Sequence, residues 1–363
     1  MKRSPLAGYV ISLLAFAVVE NQSVKAQNPR VSAVAATPSP SDPHEPVTGG
    51  VQVPPTPAAR ATTLYLLERA RQNSLTHNAG MQPYRFTMSF TAAGDVANTG
   101  SGELTETWLN GRTWRWTASI GNASVVRIAS NGKLSENAHV EAIPTRAHML
   151  RNEIFWALDQ YAAKAQLRTA PVQWNGKPAT CILASGIPGA AAQSQTRMWQ
   201  EEEYCVDNDS GLLVVHSIAP GTFATFSYAA NQQFHGRTMP DRITIYVGSL
   251  LVADGSFSIV DLAPGDDSAI TQGTGMNSDT PIVAVQMPSR MPIRVANPAV
   301  APGTTQSVIV HADVDGGGKV VAEELSETGN PALTQAAMDA VRTMSFGPTR
   351  TQRQMYLNVT FGQ

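Results

Sequence analysis

The most regular alternation of apolar and polar positions lies near the carboxy-terminal end of the chain. From Ser307 to Val314, apolar residues occupy every second position, which is the two-residue period of a strand. Asp315 and the three glycines after it interrupt this pattern and predict a tight turn. The extended pattern resumes over residues 319–326. These positions therefore predict two strands joined by a glycine-rich turn.

The pattern then changes to that of a helix and returns to that of a strand. Between Leu333 and Met344, apolar residues recur at helical spacing along one stripe. Asn330 suits the N-cap of this helix, and Pro331 suits its first position. Alternation over residues 357–361 predicts a closing strand.

Residues 303–363 resemble the carboxy-terminal domain of TonB-family proteins. The resemblance lies in the runs VDGGGKV, SETGNPALTQAAMDAVRTMSFGP and YLNVTF, in this order. It implies a sheet whose last strand, residues 356–361, presents an edge to which an extended peptide of an envelope partner adds as a further strand. The side chains that would read this partner are Tyr356, Asn358 and Thr360. The alternative is that this strand closes the fold and binds nothing.

Residues 61–264 predict an α+β domain, in which many antiparallel strands form one sheet covered by a few helices. A long helix is predicted over residues 146–167, with extended segments before and after it. Asn110-Gly111 and Asn131-Gly132 have the sequence of hairpin turns.

The same domain resembles, more weakly, the half-barrel folds of LolA-like lipoprotein carriers and RseB-like sensors. The resemblance lies in ETWLNGRTWRW followed by IASNGK. It implies an apolar cavity between the sheet and the helices. Trp108, Trp114 and Trp116 could line such a cavity, and aromatic core packing is the alternative.

The amino-terminal region indicates export. Lys2 and Arg3 precede a short apolar run, and small residues then lead to a cleavage site between Ala26 and Gln27. Residues 1–26 are therefore predicted to be a signal peptide. The alternative is an uncleaved anchor, which would associate the protein with the inner membrane. Residues 27–60 and 265–302 are proline-rich and are predicted to be a disordered spacer and a linker.

Charge and cysteine content narrow the class of protein further. The formal net charge is −2 and 15% of residues are charged, so no basic surface for nucleic acid is expected. Cys181 and Cys205 are the only cysteines. An even pair in an exported protein predicts a disulfide.

Three spacings suggest chemistry, and each has a simpler interpretation. Ser130 and Lys133 have serine–lysine hydrolase spacing but flank a predicted hairpin turn. His139 and Glu141 supply two ligands where zinc needs three or four. The acidic positions from 313 to 324 partly match a calcium loop but follow a strand, so a glycine hairpin is favoured. No catalytic residue, metal or cofactor is therefore predicted.

The sequence thus predicts a non-enzymatic protein of the periplasm or cell envelope. Its main predicted function is to bind a partner by strand addition at the TonB-like domain, in transport across the outer membrane. The alternative is a periplasmic carrier or sensor of lipids or lipoproteins that uses an apolar cavity in residues 61–264.

Overall fold

The fold is described by a computed structural model. The structure describes residues 50–73, 81–94, 96, 98–130, 133–137, 144–156, 158, 165–186, 194–270, 276–281, 288–296, 300–301, 303–328, 330–349 and 352–362. The predicted signal peptide, its cleavage site at Ala26 and Gln27, and most of the first spacer lie outside these residues. Within the described ranges, no helix has the length and apolar character needed to cross a membrane.

The described chain is rich in strands and has few helices. The helices are α1 (Pro57–Asn73), α2 (Thr145–Trp156) and α3 (Thr334–Arg342). The strands are β1 (Tyr84–Ala92), β2 (Gly100–Asn110), β3 (Thr113–Ile120), β4 (Ala123–Ser130), β5 (Lys133–Asn137), β6 (Gln166–Trp174), β7 (Lys177–Ser185), β8 (Glu202–Asp207), β9 (Leu213–Ala219), β10 (Thr222–Ser227), β11 (Gln232–Phe234), β12 (Arg237–Met239), β13 (Arg242–Val247), β14 (Leu250–Asp261), β15 (Met276–Pro281), β16 (Ser289–Ala296), β17 (Gln306–Val314), β18 (Val320–Thr328) and β19 (Arg353–Gly362).

Thirteen of these strands form one antiparallel sheet, here called the large sheet, in the order β15-β5-β4-β3-β2-β1-β14-β13-β10-β9-β8-β7-β6. Strand β1 shows why it forms, because buried and exposed side chains alternate along its whole length. Its buried side chains belong to an apolar core that also contains Leu67 of α1 and Leu150 of α2. Both helices therefore cover the same face of the large sheet.

Four strands form the C-terminal sheet, in the order β16-β19-β17-β18. The element order strand, strand, helix and strand from β17 to β19 is the one that the sequence pattern predicts. The Asn330 side chain accepts a hydrogen bond from the backbone N–H of Ala332 at 3.0 Å, which confirms the predicted N-cap. A 3-10 turn over Pro331–Leu333 then leads into α3. The apolar face of this sheet packs against Leu333, Ala337 and Val341.

Parts of the two proline-rich stretches are ordered elements. Helix α1 begins at Pro57, inside the predicted spacer. Within the predicted linker, β15 pairs with β5 of the large sheet, and β16 pairs with β19 of the C-terminal sheet. The described residues from 50 onward all belong to one compact unit. The prediction of a fold of the α+β class, with a large antiparallel sheet and few helices, is confirmed.

Candidate functional site

Strand β19, the predicted partner-binding edge, is an interior strand of the C-terminal sheet. It pairs antiparallel with β17 on one side and parallel with β16 on the other, and the second pairing runs from Ser289↔Met355 to Ala296↔Gly362. The structure therefore corrects the prediction that β19 is an open edge. The reason is that residues 289–296, expected to be linker, supply the neighbouring strand themselves.

The predicted partner-reading residues share one face, but this face is not free. Tyr356, Asn358 and Thr360 alternate with the apolar residues that pack beneath α3, so they lie on the opposite face. Tyr356 is 1% exposed and Asn358 is 8% exposed. Their alternation was predicted correctly, whereas their exposure was not. This face is buried because it packs against the rest of the chain.

We call this surface the docking face and define it by its polar residues. They are Arg290, His311, Asp313, Glu324, Ser326 and Tyr356. Opposite the docking face lie the start of α2 and the turn between β9 and β10. An apolar cluster of Ile218 and Ala219 with Ile309 and Tyr356 also joins the two sides.

A buried ion pair forms the centre of the docking face. The Arg146 guanidinium donates to both carboxylate oxygens of Glu324, at 2.7 Å to Oε1 and 2.5 Å to Oε2. His311 Nδ1 lies 2.7 Å from the same Oε1, and its ring stacks on Tyr356 with centroids 4.8 Å apart. Burial alone would raise the pKa of Glu324, but hydrogen bonds from Arg146 and His311 outweigh it and lower this pKa to about 2. Glu324 is therefore held as a carboxylate.

Asp313 is a second buried carboxyl group on the docking face, and it has fewer hydrogen-bond partners than Glu324. Its Oδ2 accepts a hydrogen bond from the Thr145 hydroxyl, while Oδ1 has no hydrogen-bond partner in the structure. Burial raises the pKa of Asp313, and the nearby charge of His311 opposes this only in part. Asp313 and Glu324 thus lie on one face with pKa values shifted in opposite directions.

The turn between β9 and β10 approaches the C-terminal sheet at backbone distance. The Ser326 hydroxyl donates to the Pro220 carbonyl at 2.7 Å and lies 2.8 Å from the Thr222 hydroxyl. Gly221 has φ +79°, and a Cβ there would lie 1.9 Å from the Ser326 carbonyl oxygen. Only glycine allows the two backbones to approach this closely without strain.

Arg290 attaches β16 to the large sheet. Its guanidinium donates to the Gln200 carbonyl at 2.6 Å, to the Ile218 carbonyl, and to Glu202 at 3.0 Å. The other side chains of β16 are mostly exposed. This strand is therefore held by main-chain pairing with β19, by partly buried apolar side chains and by the hydrogen bonds of the partly buried Arg290.

Helix α2 connects three elements through charged side chains. Besides Arg146, it carries Arg151, which donates to Glu106 of β2 at 2.6 Å, and Glu153, which lies 2.6 Å from Nδ1 of His216 in β9. Burial would lower the pKa of His216, but the Glu153 carboxylate outweighs it and raises this pKa. The helix that covers the large sheet therefore also positions the C-terminal sheet.

Within the described residues, the tryptophans predicted to line a cavity pack against the protein's own side chains. Trp108 stacks on Tyr84 at 5.4 Å, and the Arg151 guanidinium lies 5.2 Å from the ring centroids of both Trp114 and Trp116. Arg151 is also paired with a buried glutamate, as described above. The aromatic side chains therefore surround a buried ion pair, which agrees with the core-packing alternative.

The predicted disulfide between Cys181 and Cys205 is present, and it joins directly opposite residues of β7 and β8. Glu203 lies beside it, with Oε1 3.3 Å from the Cys205 sulfur. Among the described residues, this is the one group of side chains with the proximity expected of a metal site. Because both sulfurs are in the disulfide, they offer no thiolate to a metal.

Among the described residues, the remaining candidates for chemistry do not assemble into a site. Ser130 and Lys133 are a register pair at the ends of β4 and β5, and the two residues between them lie outside the described chain. His139 and Glu141 also lie outside it. The calcium-like spacing contributes Asp313 and Glu324 to the docking face, where their partners are protein groups.

The sequence contained partial signals for the docking face. Polar residues at 311 and 313 alternate with apolar residues on β17, but such alternation is equally typical of a solvated face. Arg146 and Arg290 gave no signal, because their partners are far away in sequence.

No protein-family model matches the chain, and no curated protein is similar to it in sequence. Several solved structures are similar at low identity. A LolA superfamily protein from Nitrosomonas europaea has 10% identity and a TM-score of 0.40, covering 58% of this chain and 97% of its own. A putative outer membrane lipoprotein-sorting protein domain from Vibrio parahaemolyticus has 9% identity and a TM-score of 0.33, with coverages of 59% and 100%. The MucA/MucB complex of Pseudomonas aeruginosa matches at 12% identity and a TM-score of 0.24, with coverages of 63% and 64%.

The first of these structures belongs to the superfamily that residues 61–264 resemble in sequence. None of the three is named as a TonB protein.

Proposed function

We propose that this chain is an exported, non-enzymatic cell-envelope protein that binds an extended segment of a protein partner beside β19. The observation that carries the proposal is the parallel pairing of β16 with β19 over eight residues, from Ser289↔Met355 to Ala296↔Gly362. A strand, β16, is already paired at this position of β19, and it belongs to the same chain. Export rests on the amino-terminal sequence pattern.

The character of β16 supports its exchange for another strand. Pro292 lies in its middle and offers no N–H to a ladder, which weakens the pairing on one side. Its apolar contribution to the core comes from Ile293 and Val295, both of which are only partly buried. A partner strand with full hydrogen-bonding capacity and larger apolar side chains would pair more stably with β19.

Exchange of β16 for a partner strand would also break the contacts of Arg290 with the rest of the molecule. The three contacts of this arginine to the large domain, by which we mean the large sheet with its helices and connecting turns, are made only while β16 lies beside β19. A partner that displaces β16 therefore also removes Arg290 from Glu202 of β8 and from the Ile218 carbonyl near the end of β9. On this proposal, β16 is an internal occupant that keeps the site closed until a partner arrives.

The alternative, a carrier of lipids or lipoproteins, would use the covered face of the large sheet. Trp108 and Trp116 are buried on that face, and Arg151 lies over the Trp116 ring. A lipid bound at this place would have to displace these described side chains. This alternative has its own measurement. Lipid that co-purifies with the chain and is detected by mass spectrometry would favour it.

The proposal is tested by fixing β16 in place with a disulfide. Arg294 and Thr360 are direct neighbours on β16 and β19, so Arg294→Cys with Thr360→Cys should cross-link them on oxidation. The matched control is Ser307→Cys with Thr360→Cys, which joins the same position of β19 to β17 and leaves β16 free. The readout is the partner captured by chemical cross-linking in the intact envelope.

We expect the Arg294–Thr360 lock to abolish capture when oxidised and to restore it when reduced. The control lock should capture the same partner in both states. Equal capture by both oxidised variants would show that the partner does not replace β16. Absence of any captured protein with the unmodified chain would overturn the proposed function.

A further inference from the structure

The solvent-facing side of the large sheet carries a groove of about 640 Å³, opposite the face covered by α1 and α2. It crosses strands β3, β2, β1, β14 and β13. Its volume lies within the range of ligand sites, which is about 300–1,000 Å³. The groove is separate from the docking face and from β16.

Small polar side chains lie in register across the groove. Ser89 on β1 pairs with Glu103 on one side and with Ser256 on the other. The row continues through Ser119 on β3 and Arg242 on β13. Because neighbouring strands lie about 4.8 Å apart, these five positions span about 19 Å. A linear ligand can therefore contact all of them while it lies across the strands.

A second row lies two residues further along the strands. Thr91 on β1 pairs with Ser101 on β2 and with Asp254 on β14. Together the two rows form a two-dimensional array of hydroxyl and charged groups.

The hydroxyls of the groove differ from other hydroxyls on the same face of the sheet. Outside the groove they pair with each other across strands, as Thr87 does with Ser258 at 3.0 Å and Thr105 with Thr117 at 2.6 Å. Within the described chain, the groove hydroxyls have no protein partner at all; they belong to Ser89, Thr91, Ser101, Ser119 and Ser256. They are therefore available to a ligand, and each can both donate and accept a hydrogen bond.

The charges and the surface of the groove disfavour phosphate-rich polymers and lipid chains as ligands. Arg242 forms a two-point ion pair with Asp254, and Glu103 adds a further carboxylate. One cation beside two anions disfavours phosphate-rich polymers, which need a surplus of basic groups. Phe90 and Ile120 are largely buried beneath the groove, and the side chains at its surface are mostly hydroxyl-bearing or charged, which suits a lipid chain poorly.

We propose that this groove binds a glycan chain of low charge, lying across the strands from Ser119 to Arg242. Sugars carry closely spaced hydroxyls that donate and accept hydrogen bonds, which matches the unpaired hydroxyls of the two rows. Arg242 and Asp254 supply a charged donor and acceptor at one end of the groove. The proposal is independent of strand exchange at β19.

The test is titration of the purified full chain with chitotetraose, cellotetraose and heparin by calorimetry. The first two probes distinguish an amino-sugar polymer of the cell wall from a glucose polymer, and heparin tests for a polyanion. Ser89→Ile fills the centre of the groove. Thr87→Ile is the matched control, because it lies on the same strand and face but outside the groove.

We expect saturable binding of at least one neutral oligosaccharide, weakened at least tenfold by Ser89→Ile and less than twofold by Thr87→Ile. Circular dichroism should show that both variants are folded. Absence of binding of both neutral probes to the unmodified chain at millimolar concentration would overturn the proposal. So would tighter binding of heparin, or an equal loss of affinity in the two variants.

Discussion

At the scale of single residues, the two buried carboxyl groups of the docking face differ in the number of hydrogen bonds that they accept. Glu324 receives hydrogen bonds from Arg146 and His311, whereas Asp313 has a single hydroxyl donor. Burial costs both groups free energy in their charged form, and only Glu324 has enough partners to compensate. The two positions should therefore respond oppositely to neutral substitutions.

Glu324→Gln should lower the free energy of unfolding at neutral pH by about 3–5 kcal/mol, because it leaves the Arg146 cation buried without a counter-charge. The measurement is urea denaturation of the unmodified chain, the variant, and the pair Arg146→Met with Glu324→Gln. The pair should recover much of the loss. Similar losses for the single and the double variant would contradict the assigned role of the ion pair.

The pH dependence of the same difference follows from the lowered pKa of Glu324. Its folded pKa of about 2 lies below the unfolded value of about 4.3, so its stabilisation is present above pH 4.3 and lost as the pH falls towards 2. The difference between the unmodified chain and Glu324→Gln should shrink across this window. A difference that is independent of pH would show that charge is not its cause.

Asp313→Asn should stabilise the protein at neutral pH. The raised pKa of Asp313 means that its charged form costs folding free energy above its unfolded pKa, and that this cost disappears as the pH falls and the group is protonated. Thermal melts at pH 7 and pH 3 test this expectation. Destabilisation at pH 7 would show that the Thr145 contact outweighs the cost of burial.

At the scale of elements, periodicity predicted strands whose apolar residues alternate with polar ones, and it failed where the pairing partner is distant in sequence. Strand β1 and the order from β17 to β19 follow directly from alternation and capping. The last two residues of the helix predicted over residues 146–167 belong to β6, because Leu167 continues an apolar spacing that suits a helix as well as a strand.

Strand β16 was missed for a different physical reason. Its proline and those around it are typical of a linker, and its pairing partner, β19, follows it by about sixty residues. No local pattern reports such a contact. The docking face was unpredictable for the same reason, since Arg146 and Glu324 are 178 residues apart.

Arg290→Met should loosen β16 without unfolding the sheet. The substitution keeps a long apolar side chain but removes the three hydrogen bonds that hold β16 to the large domain. We expect at least tenfold faster amide exchange across residues 289–296. Arg294→Met is the control, because Arg294 is exposed on the same strand, and it should leave exchange unchanged. Equal exchange in both variants would show that Arg290 does not hold the strand.

At the scale of the whole molecule, the C-terminal sheet is held in place by the chain's own large domain. The face that its alternation predicted for a partner contacts α2 and the turn between β9 and β10. The contact between the two sheets combines an apolar cluster with polar groups and a buried ion pair. A partner that binds beside β19 therefore acts on a molecule whose two sheets are already joined.

The docking of the C-terminal sheet on the large domain is tested most directly by a disulfide across the docking face. The hydroxyls of Thr222 and Ser326 lie 2.8 Å apart, so Thr222→Cys with Ser326→Cys should oxidise readily in the native chain. The measurement is the intact mass after alkylation under native conditions. We predict a product with no alkylated thiol that takes up label only after reduction. Alkylation of both new thiols in the folded protein would contradict the docking of the C-terminal sheet on the large domain.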